Sequence, residues 1–460
     1  MDSDLRTFLD EIDGEVLRIQ KEVDPLTELG ALCSQSEGPI LFEKIKGHPD
    51  WRVCDRLLGT RKLQAAALRT TSDRLLRGTG TRIARGRGES RIVEDGPVKE
   101  VRIRGEDVDL QGLPVGIHSQ GDGGRYIGAG MCVTKDPSTG VQNQAFYRIQ
   151  ITGGNRARFA VGRRTGWAHY TQYEKAGEPM PMAVVIGHHP AYEIASTFTA
   201  AHPGFEEFEL ASSLLEETVD FVRCETVDLR VPARAEIVIE GTVPPKVRET
   251  EGPFGEYTGY MGPSGQSPIF EAKTITMRKD AIYRHLNASR FTDLQVLSTF
   301  LNEVRTYRNL QEVHGGTRIL DVHIPDWAGL TAVVQMVPEF EGHSRAVLLA
   351  TMGLHRQHKV VMVVDDDVDI HDPKDVLWAM SFRVNPARDI ITVEGTRGYK
   401  LDPSTPEAGR EDRAGATDAY SPGVLGIDAT KPSLKRPADR ELFERVRPVG
   451  EGEVFLENFV

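Results

Sequence analysis

The chain is poor in the residues that most directly announce a metal centre, a membrane span or a nucleic-acid surface. Only four of its 460 residues are cysteine, at Cys33, Cys54, Cys132 and Cys224. No two form a CxxC pair, which argues against a thiolate metal site and fits a reducing, cytoplasmic compartment. Apolar runs are short: the stretch at 360–364 holds five residues, against the roughly 20 a membrane helix needs. Basic residues are outnumbered, 56 Lys and Arg against 68 Asp and Glu, a net charge of −12. Such a balance excludes a coat on nucleic acid or on an anionic membrane, while leaving room for a local basic pocket. The opening MDSDLRTFLDEID has neither a basic nor an apolar segment, so no secretion leader is expected. There is no GxSxG and no HExxH, and neither Gly121-Asp122-Gly123-Gly124 nor Gly153-Gly154 completes a phosphate-loop or dinucleotide fingerprint.

What is present reads as a folded globular chain, 39% apolar and 27% charged, long enough for about three domains. Residues 1–115 mix helical and strand signals, with Leu5, Phe8, Leu9 and Ile12 at helical spacing. From 116 to 290 short strands alternate with Gly-rich turns (RYIGAGMCVTKD, NQAFYRIQIT, PMAVVIG, RAEIVIEGTV, IFEAKTITMR), the spacing of an antiparallel sheet or barrel. One helix is expected inside it, from Phe205 to Val222. Residues 295–430 alternate strands (RILDVHIP, LTAVVQMV, KVVMVVDDD) with helical stretches and end in a Pro- and Gly-rich loop at 401–422. A short helical tail occupies 431–460.

Three places carry the residue types that chemistry needs. Glu251-Gly252-Pro253-Phe254-Gly255-Glu256 sets two carboxylates around a compressed turn. Acids held close push their pKa values apart, so one keeps a proton at neutral pH; two solvated glutamates on a turn would fit the same letters. Arg148, in the strand NQAFYRIQIT, shares a face with Gln144, Phe146 and Gln150 if that strand is regular. It could clamp a carboxylate bidentately or simply line a wetted sheet face. Glu207, at i−4 and i−7 from Ala211 and Leu214, would lie on an apolar helix stripe and need a cation or donor there; an ordinary first-turn glutamate is the other reading. His188-His189 would point to opposite faces of a strand, and Asp365-Asp366-Asp367 reads as a strand end better than as a magnesium site.

In their order along the chain these segments resemble the UbiD family of decarboxylases that use prenylated FMN. The resemblance rests on NQAFYR (143–148), Glu207 in its helix, CETVDLRVPARAEIVIEG, EGPFGEYTGY (251–260), VVMVVDDDVDIHD and WAMSFRVNPARDI, covering about 100–430. It implies an α+β protein with an N-terminal mixed α/β segment, a central split-β-barrel-like flavin-binding domain and a C-terminal α/β oligomerisation domain. It also implies reversible non-oxidative decarboxylation of an α,β-unsaturated, aromatic or heteroaromatic acid through a covalent substrate–flavin adduct. Arg148, Glu251 and Glu256 fall on the family's catalytic trio, with Arg148 orienting the substrate and Glu256 donating the proton that replaces carbon dioxide. Asn143, Tyr147, Arg148, Arg163, Arg164, Thr197, Phe198, Thr199 and Glu207 would contact the cofactor.

In the family a divalent cation, usually manganese with potassium nearby, anchors the flavin phosphate through Asn, His and Glu. Asn143 and Glu207 match two of these metal ligands. The histidine position falls on Arg163 or Arg164, with His169 several residues late, and a phosphate-side Lys appears as Val424. An arginine bridging the phosphate and Glu207 is therefore the expectation, in place of part of the metal's charge. A flavin prenyltransferase as cofactor supplier and a homo-oligomer, dimer or hexamer, are the implied partners. A non-catalytic flavin-binding scaffold of the same fold is the alternative. Because Asn143 and Arg148 are five apart, a regular strand would place them on opposite faces, so either a bulge intervenes or, as this reading prefers, Asn143 sits in the turn after DPSTG.

Overall fold

The computed structural model describes residues 3–86, 88–162, 164–199, 204–290, 292–313, 318–355, 357–396, 398–399, 401–404, 423–432, 434–446, 448–450 and 454–459. The chain divides into two compact units. The first holds 1–308, 326–329 and 395–422; the second holds 309–325, 330–394 and 423–460. The positions expected to loop at 405–422 lie outside the described residues, as does Arg163. No described helix is long and apolar enough to cross a membrane.

The first unit is organised by a ten-stranded, largely antiparallel sheet. Its central strands, Met180–Ile186, Ile237–Val243 and Gly265–Met277, are rich in β-branched residues and fully buried over most of their length, as strands covered on both faces must be. From these the sheet runs outward on one side to Met131–Lys135 and Gln142–Phe146. On the other side it runs to Arg156–Phe159, Ile149–Gly153 and Tyr126–Ile127. Gln142–Phe146 and Ile149–Gly153 thus lie towards opposite ends of the hydrogen-bonded order, yet only Tyr147 and Arg148 separate them in sequence. Three residue steps reach at most about 10 Å. The sheet must therefore curl until its two ends meet, which is the split-barrel form. Val23, Phe42, Val53, Ile127, Met182, Val184, Ile239 and Phe270 belong to the apolar core around it.

Two expectations change here. NQAFYRIQIT is not one regular strand: it breaks at Tyr147 and Arg148, because the chain crosses the barrel seam at that point. Asn143 lies inside the strand, opposite Thr134, and not in the preceding turn; the seam supplies the irregularity that five-residue spacing demanded. The helix expected over Phe205–Val222 runs only Glu207–Leu215. Glu216 closes it in the left-handed region, φ 54°, and Val219–Arg223 becomes a strand pairing Ser90–Ile92 and Arg230–Pro232.

The second unit carries a five-stranded sheet in the order Ile319–His323, Thr331–Met336, Val360–Asp365, Val424–Ala429 and Ile390–Val393. Its inner strands are parallel, with the helices His343–Leu354 and Pro373–Arg383 in the connections. The acidic run is absorbed structurally, since Asp365 and Asp367 pair with Arg383, Arg440 and Lys431.

Candidate active site

Arg148 stands at the seam, and the EGPFGE turn comes to it from 103 residues away. Nε and Nη2 donate to the two carboxylate oxygens of Glu251 at 2.8 and 2.9 Å, and Nη1 donates to Glu256. The guanidinium also lies 5.0 Å over the Phe254 ring, where the aromatic face favours a cation. Glu251 is 2% exposed. One guanidinium thus serves two nearly dry carboxylates, and the surplus negative charge must be relieved by a proton. Burial, with Glu251 and Asp122 nearby, raises the Glu256 carboxyl against the pull of Arg148. Burial disfavours the charged form of Arg148, yet the two glutamates keep it above the ordinary arginine range.

The turn is held from outside. Arg248–Glu251 pairs with the long strand Gly265–Met277, and Phe254–Gly255 pairs with Met261–Gly262. Between them Gly252 adopts φ 95° before a cis peptide to Pro253, a backbone that favours glycine. The Gly123 amide donates to Pro253 O at 2.8 Å, and Tyr126 Oη donates to the same oxygen at 3.2 Å. Asp122 accepts the Gly255 amide at 2.7 Å and the His118 and Ser119 amides at 3.2 and 2.9 Å. Gln150 accepts from Gly252 N and donates to Gly123 O. The segment Gly121–Gly124, which matches no phosphate loop, is a clamp on the acidic turn. Sequence reasoning missed Asp122, Tyr126 and Gln150. The one available signal was an Asp among glycines, the composition of a turn whose side chain caps backbone amides.

A second cluster forms around the strand Gln142–Phe146. Glu207, the first residue of its helix and 5% exposed, accepts the Gln144 amide at 2.8 Å, and Gln144 Oε1 accepts the Phe208 amide at 3.0 Å. Arg230 pairs with Glu206 and Glu209 instead. Glu207 has no ion-pair partner among the described residues, and burial pushes its carboxyl up to about 7. Asn143 is buried with Nδ2 unpartnered among the described residues. A desolvated carboxylate without a cation and an orphaned amide are what a bound cation would satisfy.

Among the described residues no arginine bridges to Glu207: Arg164 is exposed at the start of the helix Thr165–Ala176, and Arg163, the other candidate, lies outside the described residues. His169 is buried in that helix, with Nδ1 3.0 Å from Thr134 Oγ1. Tyr147 packs edge-on against Phe159, and its hydroxyl lies 2.5 Å from where a Cβ on Gly166 would stand. Thr197, Phe198 and Thr199 follow the helix Pro190–Ser196. Thr197 lines a small apolar recess with Leu58, Ile194, Leu297 and Phe300, Phe198 packs on Phe205, and Thr199 is exposed.

Comparison with known proteins follows this architecture. Residues 91–290 match the model of the UbiD 3-octaprenyl-4-hydroxybenzoate carboxy-lyase Rift-related domain. Residues 9–83 and 295–429 match the N-terminal and C-terminal domains of the same carboxy-lyase. Among solved structures, the UbiD-class enzyme HmfF from Pelotomaculum thermopropionicum in complex with FMN is 36% identical. The match covers 99% of this chain and 100% of that one, with a TM-score of 0.90. An evolved dimeric form of HmfF in complex with prFMN is 34% identical over 100% of both chains, TM-score 0.87. Vanillic acid decarboxylase from Sedimentibacter hydroxybenzoicus, in open form, is 27% identical over 98% and 97%, TM-score 0.84.

Proposed function

The chain belongs to the UbiD family of carboxy-lyases, and from that premise we propose that it is a reversible, non-oxidative decarboxylase of an aromatic, heteroaromatic or α,β-unsaturated carboxylic acid. The observation that carries this reading is the Arg148–Glu251–Glu256 cluster, one guanidinium buried against two carboxylates. FMN or prFMN in the HmfF complexes supports prenylated FMN as the cofactor, supplied by a flavin prenyltransferase. When bound, that flavin would supply the electron sink for the pair left when the carbon–carbon bond breaks.

The protein's own groups divide the remaining work. Three of the five N–H donors of Arg148 are spent on the glutamates, so two remain to orient a substrate carboxylate. Glu251 takes the guanidinium side-on and fixes its plane. Glu256, the acid whose burial favours the protonated form, gives its proton to the carbon that has lost carbon dioxide and recovers one from water. The reverse direction has Glu256 accept that proton. The Asp122, Tyr126 and Gln150 clamp keeps the acids in register, so these are positioning residues.

Asn143 and Glu207 fit a divalent cation, manganese by family resemblance with potassium possible beside it, which would hold the flavin phosphate. Tyr147, Arg163, Arg164 and the segment 197–199 are the remaining cofactor contacts in this reading, and a dimer or hexamer is the assembly.

The test is Glu256→Gln in protein coexpressed with a flavin prenyltransferase. Carbon dioxide release from a panel of aromatic and unsaturated acids should fall by about 10²–10⁴-fold while flavin absorbance per chain stays the same. Full turnover in that variant would remove Glu256 from its role. A wild-type protein loaded with modified flavin that releases nothing from any acid would favour the non-catalytic scaffold.

A further inference from the structure

Next to the acidic turn lies a second group of donors that the reaction does not use. Phe254 packs edge-on against His118, with ring centroids 5.6 Å apart, and His118 lies against His285 at 4.5 Å. Beyond His285 are Cys33 and Asp55. One ligand atom from each of Cys33, Asp55 and His285 lies within 4.8 Å of the other two. All three residues are buried, at 0%, 0% and 1% exposure. The fold brings them together from three elements. Cys33 is on the helix Leu29–Gln35 and Asp55 ends the strand Arg52–Asp55. His285 follows the strand Ile282–Arg284, which pairs in parallel with Arg52–Asp55. The His285 amide donates to Cys54 O, and Asn287 Nδ2 reaches Gly30 O on the helix.

The two histidines differ in a telling way. His118 has both ring nitrogens engaged, Nε2 with Tyr126 O at 2.9 Å and Nδ1 with the Ala288 amide at 3.2 Å. His285 has neither ring nitrogen hydrogen-bonded among the described residues, although a buried imidazole ordinarily satisfies both. Asp55 Oδ1 is taken by the Arg56 amide and Arg284 Nη1, and Oδ2 accepts the Asn287 amide at 3.1 Å; the Cys33 thiol also hydrogen-bonds this carboxylate, which sets the sulfur and the oxygens side by side.

The buried charges around the cluster are held in place: Arg284, fully buried, contacts Asp55, Glu193 and Asp293. A cation that binds Cys33 displaces the thiol proton. Thiolate, imidazole and carboxylate together select a borderline-soft ion over manganese or magnesium.

We propose that Cys33, Asp55 and His285 bind one divalent cation of the zinc class inside the first unit, joining the helix Leu29–Gln35 to the paired strands and backing the His118–Phe254 stack. This site is separate from Asn143 and Glu207, which offer no sulfur, and it does not depend on the flavin reading.

Because the donors are buried, the metal must be present as the chain folds. The experiment is to produce the full chain in medium supplied with cobalt in place of zinc, dialyse it against chelator, and record absorbance and metal content. Wild type should keep about one cobalt per chain and show a near-ultraviolet thiolate-to-cobalt charge-transfer band. Cys33→Ala and His285→Asn should each lose that band and at least roughly tenfold of the retained cobalt. Folded wild-type protein without the band would overturn the proposal whether or not the variants fold. So would a Cys33→Ala protein holding as much cobalt as wild type.

Discussion

Replacing Arg148 with methionine removes the guanidinium shared by Glu251 and Glu256 while keeping an unbranched side chain. The two carboxyls have side-chain exposures of 3% and 13%, so the loss leaves buried charge without its partner. Breaking a buried pair in this way costs about 3–5 kcal/mol. The cost depends on pH, and its sign follows from Glu256. In wild type, burial and the neighbouring acids raise that carboxyl while Arg148 pulls it down. Without Arg148 the folded-state value climbs further above the unfolded one, and the folded protein binds more protons between the two. Stability is then retained below the unfolded glutamate value, about pH 4.3, and lost as pH rises through the folded value. Urea unfolding of wild type and Arg148→Met at pH 5 and pH 8 measures it. The gap between the two proteins should be small at pH 5 and approach its full size at pH 8. Arg148→Lys should recover only part, since it restores the charge but not the planar fork. An equal gap at both pH values would refute the claim that the carboxylates depend on this cation.

Two further outcomes follow from the same geometry. Gly123→Ala would place a Cβ 2.4 Å from Gly252 O, so the clamp must move off the acidic turn; decarboxylase activity should fall at least tenfold with little change in far-ultraviolet dichroism, and unchanged activity would remove the clamp from catalysis. For Glu207, a carboxyl at about 7 against an ordinary glutamate value means stability is lost as pH rises through about 7 in chelator-treated protein. Glu207→Gln should therefore exceed wild type by about 3 kcal/mol at pH 8 and by only about 1 kcal/mol at pH 5. Added manganese should stabilise wild type and leave the variant unmoved, with urea midpoints as the readout.

The acidic turn was legible because its signal is local. Two glutamates around Gly-Pro-Phe-Gly constrain their own backbone, and the alternating strands and helices of 295–430 likewise write their burial into near-neighbour periodicity. The start of the Glu207 helix was legible for the same reason. Its end was not: the apolar spacing runs on past Leu215, and what stops the helix is the pairing of Val219–Arg223 with Ser90–Ile92. The position of Arg148 was also beyond periodicity. A regular strand would have fixed its face, but the closure of the barrel breaks the strand at that residue.

Asp122 reaches the turn across 133 residues, and Cys33, Asp55 and His285 meet across 22 and 230 positions. Four scattered cysteines read as no thiolate site, since spacing alone cannot say which distant chain segments will pack together. The order of residues determined the chemistry on offer: a guanidinium, two acids, a carboxylate and an amide. Which of those groups lose water and which share a charge was decided by tertiary packing, because burial and electrostatic coupling belong to three-dimensional neighbours and not to neighbours in the chain.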